Sequence, residues 1–301
     1  MMEKEKPVWT IVKILEWTKQ YFADKGVETP RLDAEVLLCD VLKCQRINLY
    51  VNFDKPLEDD ELKKYRDYVA KRANNEPLAY ILGHKAFMHS EFKVTKDTLV
   101  PRPETELLVE QVAKLNKDKN PGKILDLGCG SGAIIVSLLQ MLPTARGMAI
   151  DINAGAVKTA MENAESLGVA HRCCGLVSDL FSQIPVDIKF DVIVSNPPYI
   201  PTQEIAGLAA DVLKEPRGAL DGGPKGLNFY ERILQGINGF LTPEGMVAFE
   251  VGIGQGEQVA ALCKAQNLII TAVCNDYANI NRMVFATKEG SKYENEILAL
   301  K

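Results

Sequence analysis

Ile124-Leu125-Asp126-Leu127-Gly128-Cys129-Gly130-Ser131-Gly132 decides the fold. A short, mostly apolar strand runs into a glycine-rich turn, and an apolar segment at 134–141 with helical spacing follows. Glycine adopts positive φ without a steric penalty and lets a ligand approach the backbone closely. Strand, glycine turn and helix in that order open a βαβ unit.

Working outward, the same alternation continues. Strands are expected at 147–150, 174–177, from Phe190, and at 246–251, with helices at 154–167 and 255–266. This predicts a doubly wound, mostly parallel α/β sheet. Two final strands, 268–273 and 283–286, are joined by a stretch too short for a helical crossover, so they are expected to pair antiparallel. Upstream, 8–75 reads as helices. Val8, Ile11, Ile14, Leu15, Thr18 and Phe22 recur at helical spacing, and Pro30 suits a first helical turn. A third helix is expected near the acidic cluster Glu58-Asp59-Asp60-Glu61. Residues 78–100 have the look of a hairpin connector, and Val100-Pro101-Arg102-Pro103-Glu104-Thr105-Glu106 of a proline-stiffened turn into a helix.

The length, 301 residues, suits about two domains. A formal charge of −5 offers no global basic field for nucleic acid or anionic membrane. No apolar run is long enough to span a bilayer, and the charged stretch 1–7 has no apolar signal core behind it, so a cytoplasmic protein is expected. The seven cysteines are odd in number and scattered, which argues against a disulfide framework. Cys173-Cys174 reads as small buried residues in a strand rather than a reactive pair. The three histidines show no metal spacing, so no metal is expected.

The strand after the glycine turn ends in Asp151, about twenty residues on, where a ribose would present its hydroxyls. Gly128, Gly130 and Ala133 also fit a dinucleotide fingerprint. Two features favour S-adenosylmethionine. Asp126, read as part of the turn, would repel a pyrophosphate but suit an ammonium or sulfonium. Gly132 opens the turn further than the dinucleotide pattern requires. Ser178-Asp179-Leu180 could flank adenine, with helix capping the alternative role for Asp179.

Phe190-Asp191-Val192-Ile193-Val194-Ser195-Asn196-Pro197-Pro198-Tyr199 is a buried strand that ends in a rigid polar loop. Methyl transfer from a sulfonium is an in-line displacement that needs an aligned nucleophile. Asn196 Oδ1 and the Pro197 carbonyl can each accept one hydrogen of a target –NH₂, and Tyr199 can cover a planar acceptor. With Asp126 to Gly130, the Asn-Pro-Pro-Tyr tetrapeptide resembles amino-methylating class I methyltransferases, which act on adenine N6, guanine N2 or protein glutamine.

Further motifs narrow the resemblance. Gly83-His84-Lys85-Ala86-Phe87, the Pro-Arg-Pro-Glu turn, and Glu215-Pro216-Arg217-Gly218-Ala219-Leu220-Asp221-Gly222-Gly223 with Gly226-Leu227 resemble the HemK family of release-factor glutamine N5-methyltransferases. The resemblance spans nearly the whole chain. It implies a Rossmann-like class I methyltransferase domain at 101–301, a helical substrate-recognition domain at 1–82 and a β-hairpin linker at 83–100. It implies S-adenosylmethionine held by Asp126, Leu127, Gly128, Cys129, Gly130, Asp151, Asp179, Leu180 and Asn196. It implies glutamine bound by Asn196, Pro197, Pro198 and Tyr199, with Phe87, Arg102, Pro103 and Glu104 lining or shaping the pocket. Leu180 stands where relatives carry an aromatic residue, and Ala86 where many carry an acidic one. Arg217 and Asp221 are candidates for a lid or gate, or for a surface ion pair. The implied activity is methylation of the glutamine in the Gly-Gly-Gln loop of peptide chain release factors, by a monomer with no nucleic-acid or membrane partner. A ribosomal-protein glutamine, an adenine-N6 nucleic-acid target and a non-catalytic nucleotide-binding module are the alternatives.

Overall fold

The computed structural model describes residues 8–300, so the charged stretch 1–7 lies outside it. The described residues form two compact units. One is the chain up to Gly83 together with Ala210–Lys214; the other is His84–Ala209 with Glu215 onward.

The first unit is helical: α1 (Ile11–Asp24), α2 (Pro30–Leu42), α3 (Arg46–Val51), α4 (Asp59–Ala73) and α5 (Leu78–Leu82). Ile11, Ile14, Thr18 and Phe22 bury one face of α1. Pro30 occupies the first turn of α2, where its missing N–H leaves no bond unmade. Glu58 caps α4 in a reciprocal box with Glu61. The short helices α3 and α5 were not anticipated, because five or six residues are too few to display a helical period. Arg72 is the polar centre of the unit. Its Nε donates to Asp33 Oδ2 at 2.6 Å, and its other nitrogens reach the Glu76 carbonyl and Asp211 Oδ2, each at 3.2 Å. The last bond explains why Ala210–Lys214 joins this unit rather than the sheet.

The second unit opens on a hairpin, β1 (His84–Phe87) and β2 (Ser90–Lys93). Then come α6 (Pro103–Asn116), β3 (Lys123–Leu127), α7 (Ala133–Met141), β4 (Arg146–Asp151), α8 (Ala154–Ser166), β5 (Cys173–Val177) and β6 (Phe190–Ser195). They are followed by α9 (Asn228–Phe240), β7 (Leu241–Glu250), α10 (Gly256–Ala265), β8 (Ile270–Asn275), β9 (Asn281–Thr287) and α11 (Glu294–Leu298). The sheet order is β5-β4-β3-β6-β7-β9-β8. Only β9 runs against the rest, inserted between β7 and β8 and antiparallel to both. Val192 and Val194 of β6 face the apolar layer that includes α6, α7 and α8, whereas Phe190 and Ile193 face the layer of α9 and α10. The three-residue spacing of that second pair follows from a register shift between Phe190 and Val192. Cys173-Cys174 corrects an expectation. It opens β5, an edge strand, so Cys174 is exposed and Cys173 half-buried. No helix among the described residues is long and apolar enough to cross a membrane.

The side chains of Arg72 and Asp33 are 7% and 4% exposed, so removing one partner strands a buried charge. Arg72→Leu should destabilise the helical unit by roughly 3–5 kcal/mol in urea denaturation, and adding Asp33→Leu should recover most of that loss.

Candidate active site

Four segments leave the carboxyl ends of adjacent strands in the order β5, β4, β3, β6. They carry Leu180, Asp151, the Gly128–Gly130 turn and Asn196. The order of connection reverses at β3, and at such a reversal an open α/β sheet leaves a crevice.

The glycine turn is held by backbone bonds. Gly128 and Cys129 N–H both donate to the Ile150 carbonyl at 2.8 Å, and Gly130 N–H donates to Asp151 Oδ2 at 3.0 Å. Gly128 has φ +75°, and a Cβ built there would meet nothing within 4 Å. The residue is therefore demanded by its dihedral, and the space beside it is open. Leu127 closes β3 and Cys129 is buried, with burial pushing its thiol well above the usual range.

Asp126 corrects an expectation, since it lies in β3 and not in the turn. It is fully buried, because the strand points its side chain at the start of α7, where Oδ2 accepts from Ile135 N–H at 3.3 Å. Oδ1 has no partner among the described residues, and burial pushes the carboxyl up to about 7. An unpaired buried carboxylate oxygen near an open glycine turn fits a ligand with a cationic end and a nucleoside, as S-adenosylmethionine has. Asp151 accepts from Gly130 and, through Oδ1, from Asn153 N–H at 2.9 Å. Two carboxylate oxygens keep lone pairs for ribose hydroxyls after these bonds.

Leu180 adopts φ 51°, rare for a branched residue, and Ser178 Oγ steadies it by donating to its carbonyl at 2.8 Å. Asp179 caps no helix. It is exposed, and both its oxygens bond Arg232 Nη2 at 2.7 and 2.8 Å.

The Asn-Pro-Pro-Tyr loop, the candidate acceptor side, leaves the end of β6. Ser195 Oγ donates to the Leu127 carbonyl at 2.6 Å and ties the strand end to β3. Asn196 Nδ2 donates to Thr105 Oγ1 at 3.2 Å. Among the described residues none donates to Asn196 Oδ1 or to the Pro197 carbonyl. Gln255 Nε2 holds the Tyr199 carbonyl at 2.9 Å. Gly222 and Gly226 explain their motif: a Cβ on Gly222 would lie 2.7 Å from the Pro198 carbonyl oxygen, and one on Gly226 would collide with that of Tyr199.

Two buried carboxylates brace the surroundings, and of these Glu250 was not singled out in the sequence. Glu250, at the end of β7, is 2% exposed. Its Oε2 accepts from Thr105 Oγ1 at 2.5 Å and its Oε1 from the Tyr199 hydroxyl at 3.4 Å. Burial pushes the carboxyl up to about 7. A glutamate inside the apolar run 246–251 was the available signal. Glu215 is buried too, and accepts from Val100 N–H at 2.9 Å and Arg102 Nη2 at 2.5 Å. Arg102 therefore pins the Pro-Arg-Pro-Glu turn, while Pro103 and Glu104 are exposed in the first turn of α6. Phe87 does not line a pocket. It is 1% exposed and packs edge-on against Phe92, because the hairpin turns its apolar face into the core. Arg217 and Asp221 form an exposed pair at 3.3 Å, and Asp221 also accepts from Thr202 Oγ1 at 2.6 Å and Gly223 N–H at 3.1 Å. These contacts brace the loop.

Residues 13–83 match the PrmC N-terminal domain, and residues 103–225 match the methyltransferase small domain. A release factor glutamine methyltransferase of Geobacter sulfurreducens is 43% identical over 93% of this chain and 98% of its own length. One from Moorella thermoacetica is 42% identical over 87% of this chain and 92% of its own. Among solved structures, the hMettl16 catalytic domain in complex with MAT2A 3'UTR hairpin 1 is similar in fold. Its TM-score is 0.55 at 15% identity, covering 89% of this chain and 90% of that one.

The raised carboxyl of Asp126 makes a stability prediction. A carboxyl held near 7 when folded, against about 3.9 unfolded, stabilises the fold fully below about pH 4 and loses that contribution as pH rises through about 7. Asp126→Asn lacks this dependence. In ligand-free urea denaturation, the stability difference should move in the variant's favour between about pH 4 and pH 7, then level off; parallel curves would refute the assignment.

Proposed function

The chain belongs to the release factor glutamine methyltransferase family, and from that membership we propose that it methylates the side-chain amide nitrogen of the glutamine in the Gly-Gly-Gln loop of peptide chain release factors. One observation supports the site: among the described residues nothing donates to Asn196 Oδ1 or to the Pro197 carbonyl, at the carboxyl edge of the sheet, one strand from the turn beside Asp126.

When bound, S-adenosylmethionine supplies an electrophilic methyl on a sulfonium. Asp126 Oδ1 would take its cationic amino-acid end, Asp151 its ribose hydroxyls, and the turn at Leu127, Gly128, Cys129 and Gly130 would admit it against the backbone. Leu180 would contact the adenine with an aliphatic surface, and Asp179, already engaged by Arg232, would serve as support. On the acceptor side, Asn196 Oδ1 and the Pro197 carbonyl would each accept one N–H of the glutamine amide. These bonds align the nitrogen and stabilise the positive charge it gains as the new bond forms. Pro198 keeps the loop rigid, and the Tyr199 ring would cover the amide plane. The methylated nitrogen is acidic while cationic and would release its proton to water, so no dedicated base is required.

Donor and acceptor residues come from one chain and one compact unit, which supports action as a monomer. None of them precedes position 84, so we assign substrate recognition to 1–82, a linker role to 83–100 and catalysis to 101–301. The formal charge of −5 supports a protein rather than a nucleic-acid substrate.

With radiolabelled S-adenosylmethionine, label is expected on release factor and not on its Gln→Ala loop variant, ribosomal proteins or DNA. Label on DNA, or equal label on the loop variant, would overturn the reading. Asn196→Ala should lower kcat by a factor equivalent to about 2–4 kcal/mol, with cofactor affinity by calorimetry nearly unchanged.

A further inference from the structure

We propose that Glu250, acting through Thr105, is a positioning residue that sets which end of the Asn196 amide faces the acceptor. The inference rests on the role given above to Asn196. A side-chain amide can sit either way round, and only one way presents an oxygen. The bonding pattern selects it. An ionised carboxylate accepts only, so the 2.5 Å contact between Glu250 and Thr105 uses the single Thr105 hydroxyl proton. Thr105 Oγ1 then has lone pairs left and no proton to give, and at 3.2 Å it pairs with Asn196 Nδ2. Oδ1 is turned the other way, as an acceptor.

The chain of bonds reverses if Glu250 is neutral. A protonated Glu250 donates to Thr105, which frees the Thr105 proton for Asn196 Oδ1. The amide then presents Nδ2, a donor, to an incoming –NH₂ that brings two donors of its own. Groups facing the Glu250 carboxyl come from several elements: Glu104 and Thr105 from α6, Tyr199 from the loop after β6, Tyr230 from α9 and Arg282 from β9. Arg282 and the Thr105 and Tyr199 bonds favour the ionised form, while burial and Glu104 favour the neutral one, and the balance falls at about 7. A switch of this kind acts within the physiological range.

The test uses the full chain, S-adenosylmethionine and release factor, with Thr105→Val, Thr105→Ser, Glu250→Gln and Asn196→Ala compared. Thr105→Val keeps shape and removes the hydroxyl. Its kcat should fall about five- to tenfold, the worth of one hydrogen bond. KM for release factor should hold within about twofold, because the amide is a small part of a protein substrate, and cofactor affinity should hold likewise, because Thr105 is not among the residues assigned to the cofactor. Thr105→Ser should restore most of the rate. Wild-type kcat should drop on the acid side of about pH 7, and that limb should vanish in Thr105→Val and in Glu250→Gln. Wild-type turnover in Thr105→Val, absence of rescue by Thr105→Ser, or an acid limb that persists in Glu250→Gln would each overturn the proposal. Should Thr105→Val not fold, the rate of Thr105→Ser and the pH profile of Glu250→Gln decide it. If Asn196→Ala is inactive while Thr105→Val is unaffected, only this inference fails; if Asn196→Ala turns over normally, the functional reading fails with it.

Discussion

Parallel pairing of β3 with both β4 and β6 is the constraint on which the site depends. Leu127 pairs with Ile150 and Asp126 with both Ala149 and Val194, so three strand ends stop at one level. Each strand then delivers one component: a glycine turn, Asp151 and Asn196. The turn has few internal bonds of its own. It hangs on the Ile150 carbonyl and Asp151, both at the end of β4. A one-residue slip of β3 against β4 would move these anchors and turn Asp126 to the other face of the sheet.

Buried carboxylates do two kinds of work. Asp33 meets Arg72 and Thr29, and Glu215 meets Arg102 and the Val100 N–H, so each is satisfied within the protein and fixes a local conformation. Asp126 and Glu250 are less fully neutralised, and both are shifted upward by burial. Among the described residues Asp126 Oδ1 has no partner, which is unfavourable for a buried carboxylate and would be relieved by a cationic ligand. Glu250 has partners for both oxygens, but they are hydroxyls rather than a cation, and so its protonation state can change.

How much of this was legible in the sequence depended on the range of the interaction. The alternation of strands and helices, the antiparallel β9 and the glycine turn are local patterns, and they read directly. Helix α9 is also readable, since Tyr230, Ile233, Leu234 and Ile237 recur at helical spacing. Asp126 stands two residues before Gly128, so the sequence alone leaves the boundary between strand and turn open there; its contact with the start of α7 goes with its place in the strand. Phe87 is tied to lining or shaping the pocket only by the family resemblance, whereas packing against Phe92 decides its position. The Thr105 and Glu250 contact joins residues 145 positions apart, and nothing local announces it.

The proposed donor and acceptor halves are consequently built on different principles. The donor half is made of strand ends and backbone amides adjacent in the sheet, so β-sheet register alone assembles it. The acceptor half is cross-braced from distant parts of the sequence. Thr105 comes from the start of α6, Glu250 from the end of β7, Gln255 from the turn before α10, and Gly222 and Gly226 from the loop that packs on the tetrapeptide backbone. This difference suits the chemistry. A cofactor with charges at known positions binds to a scaffold that folding supplies at once. A neutral amide offers two N–H groups and a weak nucleophile, and it needs acceptors fixed in direction as well as position. Rigidity of that kind comes from bonds that leave the loop few alternatives, and two prolines with four external braces provide it.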